Sequence, residues 1–253
     1  TVSRGLGDVY KRQVKKKATN GVIDDSLVEA ESSSLQGVIH ESAKNISKVI
    51  GRSSKIYDNV IKGLSRHDLS ELKKNKKQIS KLSSEVDNLK DKLFYFIKNL
   101  DESSLGASNF YINLLGYLQD ITQSIEYVSK VSLKHINNNH SKLTLNQIRD
   151  LLDIQKVVAE IFESISLTFA NKSFGDVKNI LKEKNKTIGL LEEKIEAQIS
   201  RTRTSEEKSP KNAALYFSIL QESKDLMKEV MNLIEEYHVS YDKSVKPAKP
   251  KDE

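Results

Sequence analysis

Asp225 and Glu229 stand four residues apart in SPKNAALYFSILQESKDLMKEVMNLIEEYH, the stretch from Ser209 to His238, and Glu222 precedes Asp225 by three. On a helix these steps put the three carboxylates on one side, on adjacent turns, where oxygen ligands can share a metal ion. The competing reading is an exposed acidic edge compensated by Lys224 and Lys228. The residues alone leave both open. The five histidines are His40, His67, His135, His140 and His238, and none falls at the spacing of a helical zinc pair or in an H-E-x-x-H pattern. His135 and His140 flank an asparagine run at an expected helix end, where an imidazole suits the dipole and caps carbonyls. No nucleophile elbow or glycine-rich phosphate loop is present, since Gly5-x-Gly7 lies in a segment unlike the rest of the chain. The absence of cysteine excludes disulfides, thiolate metal sites and a cysteine nucleophile.

Charge gives a softer signal. The excess of 41 basic over 35 acidic residues is modest and mixed along the chain, which describes a solvated surface. Lysine tracts occur at Lys15–Lys17, Lys73–Lys77 and Lys182–Lys186. Nucleic acid would call for arginines and aromatics converging on one surface, so the first reading of the tracts is solvated helix face. The second is contact with anionic lipid headgroups, which needs only point charges. No apolar run approaches the roughly 20 residues that cross a bilayer, so the fragment is expected to be soluble.

The elements that must position these groups are helices. Three prolines and ten glycines in 253 residues leave little turn chemistry for a sheet protein. Residues 1–13, TVSRGLGDVYKRQ, carry no periodicity and are expected to be a sequencing or assembly artefact, with the true N-terminus missing. Residues 14–35 read as a polar linker. Apolar residues then recur at threes and fours from about Gln36 to Leu64, from Leu69 to Leu100 and from about Asn109 to His135. Thr144 and Gln147 have the capping-box spacing that opens a fourth helix. Ser65 with Asp68, and Ser173 with Asp176, look like paired start signals, and LKEKNKTIGLLEEKI from Leu181 overlays LKKNKKQISKLSSEV from Leu72. Ser209 and Pro210 open the last helix.

This pattern predicts an all-α bundle of six helices in two tandem three-helix repeats, 36–136 and 144–241, with a disordered tail at 242–253. Its expected core includes Leu82, Val86, Leu118, Ile121, Ile125, Leu191, Ile195, Leu220, Met227 and Val230.

Two three-helix units whose last helix reads LQESKDLMKEVMNLIEE resemble the PhoU fold. Leu220, Ser223, Asp225, Glu229 and Val230 occupy the places of that family's L-x-x-I-x-D-x-x-x-N-I pattern. In the first unit, LQDITQSIEYV from Leu118, Gln123 and Tyr127 stand where the family has its acidic pair, a departure because its metal clusters use an acidic motif in each repeat. The segments FYFIKNLDESS, LLGYLQDITQSI, HINNNHSKLTLNQIRDL and SPKNAALYFSILQESKDLM resemble the C-terminal cytoplasmic region of bacterial inorganic phosphate transporters, sodium/phosphate cotransporters or related permeases. The resemblance covers about Gln36 to Tyr241.

It implies a PhoU-like six-helix bundle on the cytoplasmic face of the bacterial inner membrane, regulating a phosphate transporter and performing no catalysis. Its partners would be the membrane transport domain of the same polypeptide and a second copy in a homodimer, with no nucleic acid and no small-molecule substrate. Asp225, Glu229 and Glu222 would be its ligands for any divalent or iron-type metal. The rival expectations are a free-standing PhoU-type signalling regulator, a metal-dependent enzyme, and a coiled-coil scaffold on a membrane or nucleic acid.

Overall fold

The apolar steps resolve into six helices in the computed structural model, which describes residues 35–98, 105–175 and 177–244, the side chains of 92–96 apart. They are α1 (Leu35–Ser65), α2 (Leu69–Lys98), α3 (Leu105–Asn137), α4 (Leu145–Asn171), α5 (Lys178–Arg203) and α6 (Pro210–Ser240). The fold is therefore all-α, with no strand among the described residues. No helix among them is long and apolar enough to cross a membrane. The expectations for residues 1–13, for the linker up to residue 34, for Leu100, for Asp176 and for the tail beyond 244 lie outside the described residues.

Two of the helix starts form as the sequence predicts. Thr144 Oγ1 accepts the Gln147 N–H at 3.3 Å while Gln147 Oε1 accepts the Thr144 N–H at 3.0 Å, a complete capping box. Ser209 accepts the Asn212 N–H at 3.2 Å with Pro210 in the first helical position. Ser65 is a correction. Its hydroxyl donates to the Lys62 carbonyl, finishing α1, and it is Asp68 that caps α2 by accepting the Glu71 N–H at 2.9 Å. α3 also begins four residues earlier than Asn109.

Four helices end in one way. His67, Asn139, Lys172 and Ser205 each take a left-handed conformation, φ 54–61°. Each donates its N–H three residues back while the next residue donates five back, as in Ser205 to Thr202 and Glu206 to Arg201. This is the Schellman closure, built without glycine.

The short turns after α1, α3 and α5 make sequence neighbours antiparallel. α1 packs along α2, α3 and α4 and touches α6, α3 packs along α2 and α6 as well, and α5 lies on α6 with a smaller contact to α4. The three turns meet at one end of the bundle, where Asn212 Nδ2 donates to the Lys142 carbonyl at 2.8 Å. At the other end Phe110, Phe169 and Phe174 surround Tyr237, with ring centroids 4.6–5.0 Å from it. Of the expected core residues all are buried except Ile195, which is half-buried. α5 faces the core from one side only, and Thr187, Leu191 and Gln198 are its buried residues. Of the positions overlaid on α2, Leu191 is buried while Ile188 and Ile195 are half-buried, Ile195 packing against the core.

Polar pairs inside the apolar stripes set how far the helices slide. Ser223 donates to the Ile219 carbonyl, which leaves its oxygen to accept from the Tyr57 hydroxyl at 2.6 Å. Ser42 donates to Val38 and accepts from Tyr237 in the same manner. Burial pushes the Tyr57 phenol up to about 12, with the serine bond opposing. Near the turns Asp150 of α4 accepts from Lys194 and Arg201 of α5, both at 3.0 Å, and from the Tyr216 hydroxyl of α6 at 2.9 Å. Burial pushes this carboxyl up, but those bonds outweigh it and hold it below the usual range.

The left-handed caps make a direct prediction. A side chain in that conformation costs about 1 kcal/mol relative to glycine. Ser205→Gly at the exposed α5–α6 turn is expected to raise unfolding free energy by up to about 1 kcal/mol in urea titration; a loss of stability would mean the turn is not closed this way.

Candidate functional site

Glu222, Asp225 and Glu229 follow one another along the edge of α6 that borders α3, each half-buried. The apolar stripe of α6, including Ile219, Leu220, Met227 and Val230, turns inward and leaves this edge at the seam. Glu222 accepts a hydrogen bond from Ser124 of α3. Asp225 is held within its own helix, by Gln221 Nε2 at 3.4 Å and Lys228 Nζ at 3.3 Å. Glu229 faces Asp120 of α3 and takes a bond from Asn232.

The electrostatics of the strip are repulsive. Burial raises the Glu222 carboxyl above its ordinary range and the Asp225 charge adds to this, against the Ser124 bond. Burial likewise raises Glu229, helped by Asp120 and Asp225 and opposed by Asn232 and Lys228. The Tyr117 phenol is raised by burial and then by Glu236, Glu229 and Glu235, so the negative field continues along the seam. Of the cations on α6, Lys228 is bonded to Asp225 while Lys224 is turned away to Glu192 of α5.

Glu222, Asp225 and Glu229, the carboxylates singled out in the sequence, lie along this strip, and Asp120, which was not singled out, joins them. Asp120 belongs to Leu118-Gln119-Asp120, which has the pattern of Leu220-Gln221-Glu222, and that three-residue match was the available signal. Gln123 and Tyr127, the positions matched to the family's acidic pair in the first unit, are exposed. Among the described residues no three His, Asp or Glu side chains are grouped so as to hold a metal ion.

Four of the histidines make structural contacts. His135 is buried in the last turn of α3 and pairs with the Ser141 carbonyl at 2.9 Å, its ring 5.1 Å from that of His140. Burial lowers its pKa, the Ser141 bond opposes this, and the charges of His140 and His67 lower it further. His238 Nδ1 meets the Phe174 carbonyl at 2.6 Å, and His40 lies edge-on to Tyr241. No family model, curated protein or solved structure matches this chain.

The strip predicts a sign. A carboxyl raised in the fold is penalised once ionised, so its stability contribution is highest below the ordinary glutamate range and is lost as pH rises through the raised value. Glu229→Gln is expected to exceed the parent by a few tenths of a kcal/mol, about 0.5 at most after solvent screening, at neutral pH. Thermal melts should show that advantage vanish by about pH 4. A destabilised variant at pH 7 would show that the charge is compensated.

Proposed function

We propose that this bundle is a PhoU-like regulatory and accessory domain of an inorganic phosphate transporter, acting at the cytoplasmic face of a bacterial inner membrane. The observation that carries the reading is how the halves meet. The first helix of one half packs on the first helix of the other, α1 on α4, and the third on the third, α3 on α6. Within each half the second helix lies on the third, α2 on α3 and α5 on α6. A tandem duplication folding back on itself would give this pairing, with the second half packed more loosely, α4 meeting α6 only slightly where α1 packs along α3. It agrees with the segment resemblances to the transporters' C-terminal region.

The mechanism is differential binding. A domain of this kind biases a transport domain between states only to the extent that it binds one state better, so its action lies in docking and in no chemical step. The transport domain of the same polypeptide is the proposed partner, with a second copy of the chain as a further one.

The reading frame upstream of Val14 provides the test. The expected result is a series of apolar spans of roughly 20 residues each. An initiator methionine near Val22 with no such spans would overturn the transporter assignment and make the chain a free-standing signalling regulator. Added to vesicles containing the transport domain, the purified chain should change the rate of phosphate uptake.

A further inference from the structure

The other flank of α3 carries the opposite charge. Ser80 and Ser83 of α2 donate to Glu126 of α3 at 3.0 and 3.3 Å, and Lys90 and Asp87 meet Gln119 at 3.3 and 3.4 Å. These pairs define the antiparallel register of the two helices. Continued towards the α1–α2 turn, that register sets Lys76 across from Lys130 and Lys73 across from Lys134. Lys77 lies next to Lys73 on the outer side of α2, and Lys74 and Lys81 continue round that helix away from α3.

All seven lysines are exposed, and none is paired with a described carboxylate. Neither Leu72–Ser84 of α2 nor Tyr127–Asn137 of α3 contains an acidic residue. The carboxylates bordering these stretches in sequence are engaged: Glu126 by the two serines, Asp68 by the Glu71 N–H, Glu71 by Asn75 Nδ2 at 3.2 Å, and Glu85 by Arg52.

We propose that this half of the α2–α3 face is a docking surface for an anionic lipid bilayer. Two helices lying side by side present an extended face of point charges, and a plane of phosphate headgroups demands no more than that. Neither helix contains arginine, and Tyr127 is the one exposed aromatic on this half. Single-stranded or sequence-specific nucleic-acid recognition would need stacking groups and bidentate donors, and of these the half offers Tyr127 alone. Without large apolar side chains to insert, attachment is peripheral and electrostatic, and salt screens it. The inference goes beyond the transporter reading and stands apart from it, because the face can be tested on vesicles that hold no transport protein.

The experiment is co-sedimentation of the full chain with phosphatidylcholine vesicles with and without phosphatidylglycerol, over a salt series. Binding is expected on the anionic vesicles alone, falling steeply with salt. Each lysine near the surface contributes roughly fivefold. Combining Lys73→Glu, Lys76→Glu, Lys130→Glu and Lys134→Glu should therefore reduce partitioning tenfold or more, to roughly background. The same four positions changed to Gln should give a smaller loss. A control with equal charge change on α4 and α5, Lys156→Glu, Lys178→Glu, Lys182→Glu and Lys186→Glu, should keep most of the binding. Equal losses in the two Glu sets, equal binding to both vesicle types, or tighter binding to duplex DNA than to vesicles at the same salt would each overturn the proposal.

Discussion

Everything in this fold depends on the register of α1. A long helix with one apolar stripe can slide by a turn against a similar neighbour at little apolar cost, because another ridge meets another groove. Hydroxyl groups remove that freedom. A slip of one turn would strand the Tyr57 and Tyr237 hydroxyls inside the core, while Ser223 and Ser42 would keep only the bonds within their own helices, and each lone buried polar group costs about 1–3 kcal/mol. Against α4, Ser47 meets Ser166, its hydroxyl 3.0 Å from the Ser166 carbonyl. α1 is thereby pinned on two sides, and α2 and α3 pack on it.

Fixing α1 also decides what the outside of the bundle presents. Once α6 and α2 are set on opposite flanks of α3, the acidic strip of Glu222, Asp225, Glu229 and Asp120 lies on one and the lysine seam on the other. The modest net charge therefore hides a separation. Composition averages the two faces, whereas a partner meets one at a time.

Much of the architecture was legible in the chain because helical periodicity is a local signal. The capping box at Thr144 and the Ser209–Pro210 start depend on residues within one turn of each other, and both could be read directly. Helix ends were harder. The usual marker is glycine, and here His67, Lys172 and Ser205 take its place without a compositional trace, while Asn139 is announced by the asparagine run. Ser65 misled because a serine can serve a helix end as readily as a start. Tyr57–Ser223 and Ser42–Tyr237 span 166 and 195 residues, beyond the reach of any local pattern. Of the acidic strip, the α6 members showed through their spacing, while Asp120 joins only when α3 lies alongside. The lysine-rich sequence of α5 copies that of α2, but its one-sided position buries less of it.

The most direct measurement exploits the absence of native cysteine. Ser47 Oγ and Ser166 Oγ are 3.2 Å apart across α1 and α4. With Ser47→Cys and Ser166→Cys in one chain, mild oxidation should yield an intramolecular disulfide in monomer, seen as a mobility shift reversed by reductant. Ser47→Cys combined with a cysteine one turn away, at Phe162 or Ala170, should cross-link far more slowly. Prompt closure with a displaced partner, or disulfides that form only between chains, would contradict the register on which the fold and both charged faces rest.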